Sequence, residues 1–422
     1  MQKLGKYKKQ YKREIRRRKR QAWNRHKASI SNASDMAGFI KQIQKQSAPA
    51  ISTFRRQDGS FTVPGKDTAN FLLEAHFQSA TDVIPLRHSY ERIASTLISD
   101  RYADWITEDK VIQALGKFKA KKSPGPDKLR PIILPHLTPN IIRILTFIYK
   151  CCIALHYTPL KWKEAKVVFI PKLGKEDYND PKSYHPISLS NYLFKGLERL
   201  AVWRMDIKIK DNPIHSRQHG FRSDRSTETA ISELTNYIET FILKKKYCIG
   251  VFLDIRGAFD NINPGCIHES LLKFGAQKDM ADWYLGYLLQ RNLFFTLGHE
   301  TVAKSIGIGF PQGGVASAKF WLVAFNEAVE IINSCGIVGT AFADDCAAVY
   351  GGSNMGHMLR TLQIAIDRLT TWGRTKGLEF NSAKTVVVCF GRGRQKPLFT
   401  LDIDGSEVPY SKTVKYLSLI HI

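Results

Sequence analysis

Two apolar runs of strand length, each ending abruptly in aspartate, constrain the fold of this 422-residue chain more than any other feature. Tyr247-Cys248-Ile249-Gly250-Val251-Phe252-Leu253 is continuously apolar and delivers Asp254 at its end. Gly336 to Ala343 is a second such run, ending in Asp344-Asp345, and Cys346-Ala347-Ala348-Val349-Tyr350 resumes strand character at once. Continuous apolar runs of this length read as buried strands, and the second arrangement as a hairpin with two acids at its tip. Taken alone, Asp344-Asp345 reads equally well as a polar turn. Three carboxylates at the ends of apolar strands, however, are costly to desolvate unless a cation compensates them. Hard oxygen ligands suit Mg²⁺, with Mn²⁺ as an alternative, and a pair of such ions can activate a hydroxyl nucleophile and stabilise the leaving group of an in-line phosphoryl transfer.

The charge balance points the same way. Lys and Arg total 63 against 38 Asp and Glu, a formal charge of +25, which attracts polyanions and makes nucleic acid the first candidate partner. The excess is densest from Lys3 to Lys27, where Arg16, Arg17, Arg18, Lys19 and Arg20 form a helical basic arm suited to phosphate contact, with Glu14 its only acid. The seven cysteines include no C-x-x-C pair, so neither a zinc site nor a disulfide framework is expected. No run of about 18 apolar residues and no apolar leader occurs, which predicts an intracellular chain, nuclear and cytoplasmic, with no membrane partner.

Residues 34 to 100 read as mostly helical, with turns at Gln57-Asp58-Gly59 and Pro64-Gly65. Thr107 to Phe118 reads as an amphipathic helix, stopped by the rigid turn Lys121-Lys122-Ser123-Pro124-Gly125-Pro126-Asp127. A helix starting at Pro135-His136-Leu137 runs to about His156, and Ala165 to Pro171 is a strand. Another helix spans about Asn354 to Gly377, which is a suitable C-terminal stop, and strands follow at Thr385 to Phe390 and around Val414 to Leu417.

The ordered set Leu253-Asp254-Ile255 with Ala258-Phe259-Asp260, Pro311-Gln312-Gly313-Gly314, and Phe342-Ala343-Asp344-Asp345 resembles the palm of a reverse transcriptase of the non-LTR (LINE-type) retrotransposons. Ser123 to Asp127, Ile170-Pro171-Lys172, Tyr184 to Leu189, His219-Gly220-Phe221-Arg222, Gly377-Leu378 with Asn381 and Lys384, and Val414 to Leu417 agree in order. The resemblance covers roughly residue 105 to 417. It implies an α+β right-hand polymerase fold with fingers and an antiparallel-sheet palm. The expected parts are a basic N-terminal extension over 1–105, an N-terminal fingers segment over 106–165, and fingers and palm over 166–422, with the thumb missing. The implied activity is RNA-directed DNA polymerase (nucleotidyltransferase), with an RNA template, a DNA primer or target, dNTPs, and an upstream endonuclease domain in the full-length protein.

Carried over residue by residue, the resemblance makes Asp254, Asp344 and Asp345 the metal-binding triad, with the Ile255 carbonyl as an extra ligand. Lys384 would help protonate the leaving pyrophosphate. Lys172, His185, Gln312 and Gly313 would meet the nucleotide, and Phe259 would crowd the sugar 2′ position; a core aromatic and a plain surface lysine are the bland alternatives for Phe259 and Lys172. Gly125 and Arg222 join the basic arm as expected nucleic-acid contacts. His185 departs from the pattern, since the family has Arg before Pro-Ile-Ser-Leu and an imidazole replaces a permanent cation poorly. Val315-Ala316-Ser317 and the tail Ser418 to Ile422 depart as well. The rival readings are a catalytically impaired nucleic-acid-binding relic of a mobile element and an RNA-directed RNA polymerase.

Overall fold

The computed structural model describes residues 51–77, 103–172, 175, 177–391, 400–417 and 420–421, together with Arg17 and Gln21. The chain divides into two compact units, Met1–Ile51 and Ser52–Ile422. In the first, Arg17 and Gln21 are helical and exposed, while Arg16, Arg18, Lys19 and Arg20 of the expected basic arm lie outside the described residues.

In the second unit α1 (Lys66–His76), α2 (Glu108–Gly116) and α3 (Pro139–Ala154) precede β1 (Glu164–Pro171) and β2 (Tyr184–Ser190). Helices α4 (Tyr192–Asp211) and α5 (Thr227–Leu243) lead to β3 (Tyr247–Leu253), and α6 (Ala258–Asn261), α7 (Pro264–Lys273) and α8 (Lys278–Leu288) to the hairpin β4 (Arg291–Leu297) and β5 (Glu300–Ile306). Then come α9 (Ser317–Ser334), β6 (Val338–Phe342), β7 (Asp345–Gly352), α10 (Met355–Lys376) and β8 (Val386–Phe390), followed by short strand pairs from Asp402 onward.

The central sheet has the order β6-β7-β3-β8 and is antiparallel throughout. Antiparallel strands often alternate apolar and polar, but β3 does not, because both of its faces are covered. Ile249, Val251 and Leu253 enter the main core with α9 and α10, while Cys248 and Phe252 pack with Ala230, Leu234 and Ile238 of α5. Helix α9 buries Phe320, Trp321, Leu322, Val323, Ala324 and Phe325 in succession, as a helix enclosed on all sides does. Asn354 caps the N-terminus of α10, accepting from the His357 amide at 3.0 Å, and Gly377 ends it at φ 72°.

A second sheet has the order β2-β1-β4-β5, with β1 parallel to β4. Helix α1 packs on its β5 edge, Phe54 meets Tyr184 edge-on, and His76 meets Phe169. Residues 52–77, assigned by sequence to the N-terminal extension, therefore belong to this layer. The expected helicity there is confined to α1; residues 51–65 hold only the bridge between Arg55 and Phe61, and 34–50 and 78–100 lie outside the described residues. Helix α3 begins at Pro139 rather than Pro135, because Pro131–His136 is a separate 3₁₀ turn and proline is best tolerated at a first helical position. Among the described residues no helix is long and apolar enough to cross a membrane.

Candidate active site

Leu253 pairs with Cys346, and the same register carried one residue further sets Asp254 across from Asp345. Asp345 pairs with Phe342, so Ala343-Asp344 is a two-residue turn. Ala343 adopts φ 59°, a conformation that costs a non-glycine residue about 1–3 kcal/mol and needs support from its surroundings. The Trp321 indole donates to the Ala343 carbonyl at 3.1 Å. Beside the hairpin, the His219 amide donates to the Ala341 carbonyl at 2.8 Å and the Ala341 amide to Arg217 at 3.0 Å. A Cβ on Gly220 would stand 2.2 Å from the Ala343 nitrogen, which explains the glycine in His219-Gly220-Phe221.

Asp254 is held from the other side of the sheet. Its amide donates to Thr385 Oγ1 at 3.2 Å, its carbonyl accepts from the Asn381 amide at 2.8 Å, and its Oδ2 accepts from Asn381 Nδ2 at 3.2 Å. The exposed Lys384 ammonium lies 3.9 Å from the same Oδ2. Ile255 is buried and bridges to Phe380.

Asp344 and Asp345 are open at the hairpin tip yet hemmed in by protein, and poor hydration raises both above the ordinary carboxylate range. Asp254 adds its repulsion to Asp344, and Asp344 and Asp254 together help push Asp345 up to about 6. Across from them, burial and then Lys172 hold His185 below the ordinary histidine value, against the pull of Asp344, so the ring is mostly neutral at pH 7. Lys172 is lowered by burial and by Lys175 and Lys384. Its ammonium donates to the Lys182 carbonyl at 2.8 Å. Asp260 is pushed up to about 6 by burial, although Gln312, Arg291 and Lys172 oppose the rise. Acids of the central sheet and cations of the second sheet are thus within electrostatic reach of one another.

Phe259 is half-buried, stacked on Trp321 at a centroid distance of 4.9 Å and edge-on to Phe221 at 6.0 Å. The Pro311–Gly314 turn reaches the second sheet: the Ser188 amide donates to the Gln312 carbonyl at 2.7 Å, and Gly313 at φ 111° leaves no room for a Cβ, which would stand 2.8 Å from the Ser188 oxygen.

The donor set at the hairpin fits a hard divalent cation, since it consists of carboxylates whose mutual repulsion such an ion would relieve. Among the described residues no three His, Cys, Asp or Glu side chains already stand at metal-ligand spacing, so closure on an ion requires the carboxylates to converge.

Residues 170–421 match the family "Reverse transcriptase (RNA-dependent DNA polymerase)", more than half of the chain. The chain belongs to the reverse transcriptase family. The Pol polyprotein of the type-1 retrotransposable element R1 of Bradysia coprophila is 26% identical over 97% of this chain and 40% of its own length. From Drosophila melanogaster, the probable RNA-directed DNA polymerase of transposon BS is 27% identical over 82% of this chain and 38% of its own length, and that of mobile element jockey 26% over 74% and 35%. The chain thus spans at most 40% of the length of these relatives. The mixed α+β architecture is that of the reverse transcriptase fold.

Within this reverse transcriptase domain the structure brings together Asp254, Asp344, Asp345, Lys384, Lys172, His185, Phe259 and Gln312. Two expected nucleic-acid contacts have other uses. Gly125 is buried against the end of β2, where a Cβ would stand 2.5 Å from Asn191 Oδ1 and 2.8 Å from the Ser190 carbonyl carbon, so it has no surface to offer. Arg222 spends its Nη1 on the carbonyls of His215 at 2.9 Å and Gln218 at 3.0 Å, bracing the loop beside β6. Sequence reasoning gave no role to Asp260, Arg291 or Glu198. Asp260 could have been found, being an acid next to the aromatic at Phe259; a lone arginine opening a strand and a glutamate in a charged helix carry no such signal.

Proposed function

We propose that this chain performs RNA-directed DNA synthesis, adding dNTPs to a primer 3′-hydroxyl as part of a non-LTR retrotransposon protein. The observation that carries the reading is the convergence of three strand-end aspartates with Lys172 and Lys384 around one hairpin tip. Asp254, Asp344 and Asp345, with the Ile255 carbonyl, would hold Mg²⁺. Bound there, the metal would activate the hydroxyl and stabilise the leaving pyrophosphate. Lys172, on the second sheet, meets the triphosphate, where a mobile ammonium can follow the charge as it shifts, and Lys384 supplies a proton or a cation to the pyrophosphate. Phe259, fixed by Trp321, crowds the sugar 2′ position, and the Gln312-Gly313 backbone lies where the nucleotide and template approach. The basic segment from Lys3 to Lys27 contributes sequence-tolerant phosphate contacts.

A second reading, a nucleic-acid-binding relic without turnover, is favoured by His185, which is pushed toward its neutral form at a position where the family carries arginine. Primer extension with Mg²⁺ on an RNA template separates the readings. Extension with dNTPs supports the proposal, binding without extension supports the relic, and preferential ribonucleotide incorporation would make the chain an RNA polymerase.

A further inference from the structure

Gln312 does not stand free at the site. Its Nε2 lies 2.8 Å from Asp260 Oδ1 and 2.9 Å from Oδ2. An ionised carboxylate only accepts, so the amide nitrogen must face Asp260 and Oε1 must turn away. The backbone is fixed as well, through the bond from the Ser188 amide to the Gln312 carbonyl.

Asp260 is itself wedged in place. Its amide donates to Gly257 at 2.8 Å, and the Phe310 amide donates to the Phe259 carbonyl at 2.6 Å. Gly309 passes so close that a Cβ would stand 2.4 Å from the Asp260 carbonyl oxygen. Buried Arg291 donates through Nη2 to the carbonyls of Ile308 at 2.5 Å and Gly309 at 2.7 Å, and its charge acts on Asp260. This chain of contacts runs from β4 through α6 to the turn before α9. Its end is a half-buried carboxylate whose side-chain hydrogen-bond partner is a neutral amide. Such a group is a poor stabilising device, since an apolar side chain of similar size commonly does as well.

We propose that Asp260 is a positioning residue for the incoming nucleotide, locking the Gln312 amide in one of its two orientations so that the nucleotide meets the Oε1 acceptor. The two orientations of an amide are nearly identical in shape, and only hydrogen-bond partners choose between them. Without Asp260 both are populated, and a nucleotide donor group meets an amino group part of the time. The proposal rests on the polymerase reading given above.

The test is a double-mutant cycle between Asp260→Ala and Gln312→Ala, read in two ways. One is equilibrium binding of the next complementary dNTP to a complex with chain-terminated primer and template; the other is KM and kcat for single-nucleotide incorporation. Asp260→Ala should weaken dNTP binding and raise KM about twofold, the factor set by halving the population whose Oε1 faces the nucleotide, and leave kcat unchanged. Gln312→Ala, which removes the acceptor itself, should have the larger effect on both, about fivefold, and the double variant should be no worse than Gln312→Ala alone. Should Asp260→Ala fail to fold, Asp260→Asn, which can pair with either orientation, carries the same cycle. Full additivity, or a lower kcat at unchanged KM, overturns the positioning role and leaves the polymerase reading intact. No incorporation by the unsubstituted chain overturns both.

Discussion

Glu198 offers a stability test that follows from burial alone. It sits in α4 with no exposed surface, and its carboxylate accepts from the Val315 amide at 3.1 Å and the Ala316 amide at 3.5 Å, just beyond the Pro311–Gly314 turn. Burial pushes the group from 4.5 up to about 7, against the two amides and Lys195. A rise of that size corresponds to roughly 3 kcal/mol spent on keeping the charge at high pH. Because the folded value lies above the unfolded one, the native state binds the extra proton between pH 4.5 and 7, and this contribution to stability, full below 4.5, is lost as pH rises through 7. Glu198→Gln keeps the shape and an acceptor without the charge. The variant should match the parent near pH 4.5 and exceed it by up to roughly 3 kcal/mol at pH 8, about 4 °C in Tm for a unit this large. Thermal melting of both proteins from pH 4.5 to 8 is the assay. Parallel curves, or a variant less stable at pH 8, would refute the reasoning.

Phe259→Ala should raise ribonucleotide over deoxynucleotide incorporation by roughly 10–200-fold, the range for a steric pocket; an unchanged ratio in competition assays returns the ring to its packing role on Trp321. His185→Arg should lower the KM for dNTPs by about tenfold by restoring a permanent cation beside Lys172, and an unchanged KM would show that the position does not meet the triphosphate. Gly220→Ala should lower stability by about 1–3 kcal/mol and reduce incorporation together, because the added Cβ displaces Ala343 next to Asp344; denaturant melts matching the parent would contradict that contact.

The features written locally were legible in the sequence. The run from Tyr247 to Leu253, the hairpin around Asp344-Asp345 and the helix between Asn354 and Gly377 are set by apolar continuity, turn chemistry and caps within a few residues. What escaped depends on distant partners. Nothing in residues 52–77 announces that they pack on β4 and β5, and the parallel pairing of β1 with β4 joins segments more than a hundred residues apart. Glu198 and Arg291 look like surface charges in the sequence, and only the fold shows that they are enclosed. Gly125 and Gly220 were noticed within motifs, but the reasons for them are close approaches to Asn191 and Ala343 that spacing does not reveal.

Single-turnover incorporation by Asp344→Asn, measured alongside primer–template affinity, tests whether Asp254, Asp344 and Asp345 carry the chemistry. The incorporation rate should fall by several orders of magnitude with affinity nearly intact, because the carboxylate would act on the reacting atoms and not on the bound duplex. An Asp344→Asn variant that extends primers at the parental rate would contradict that role.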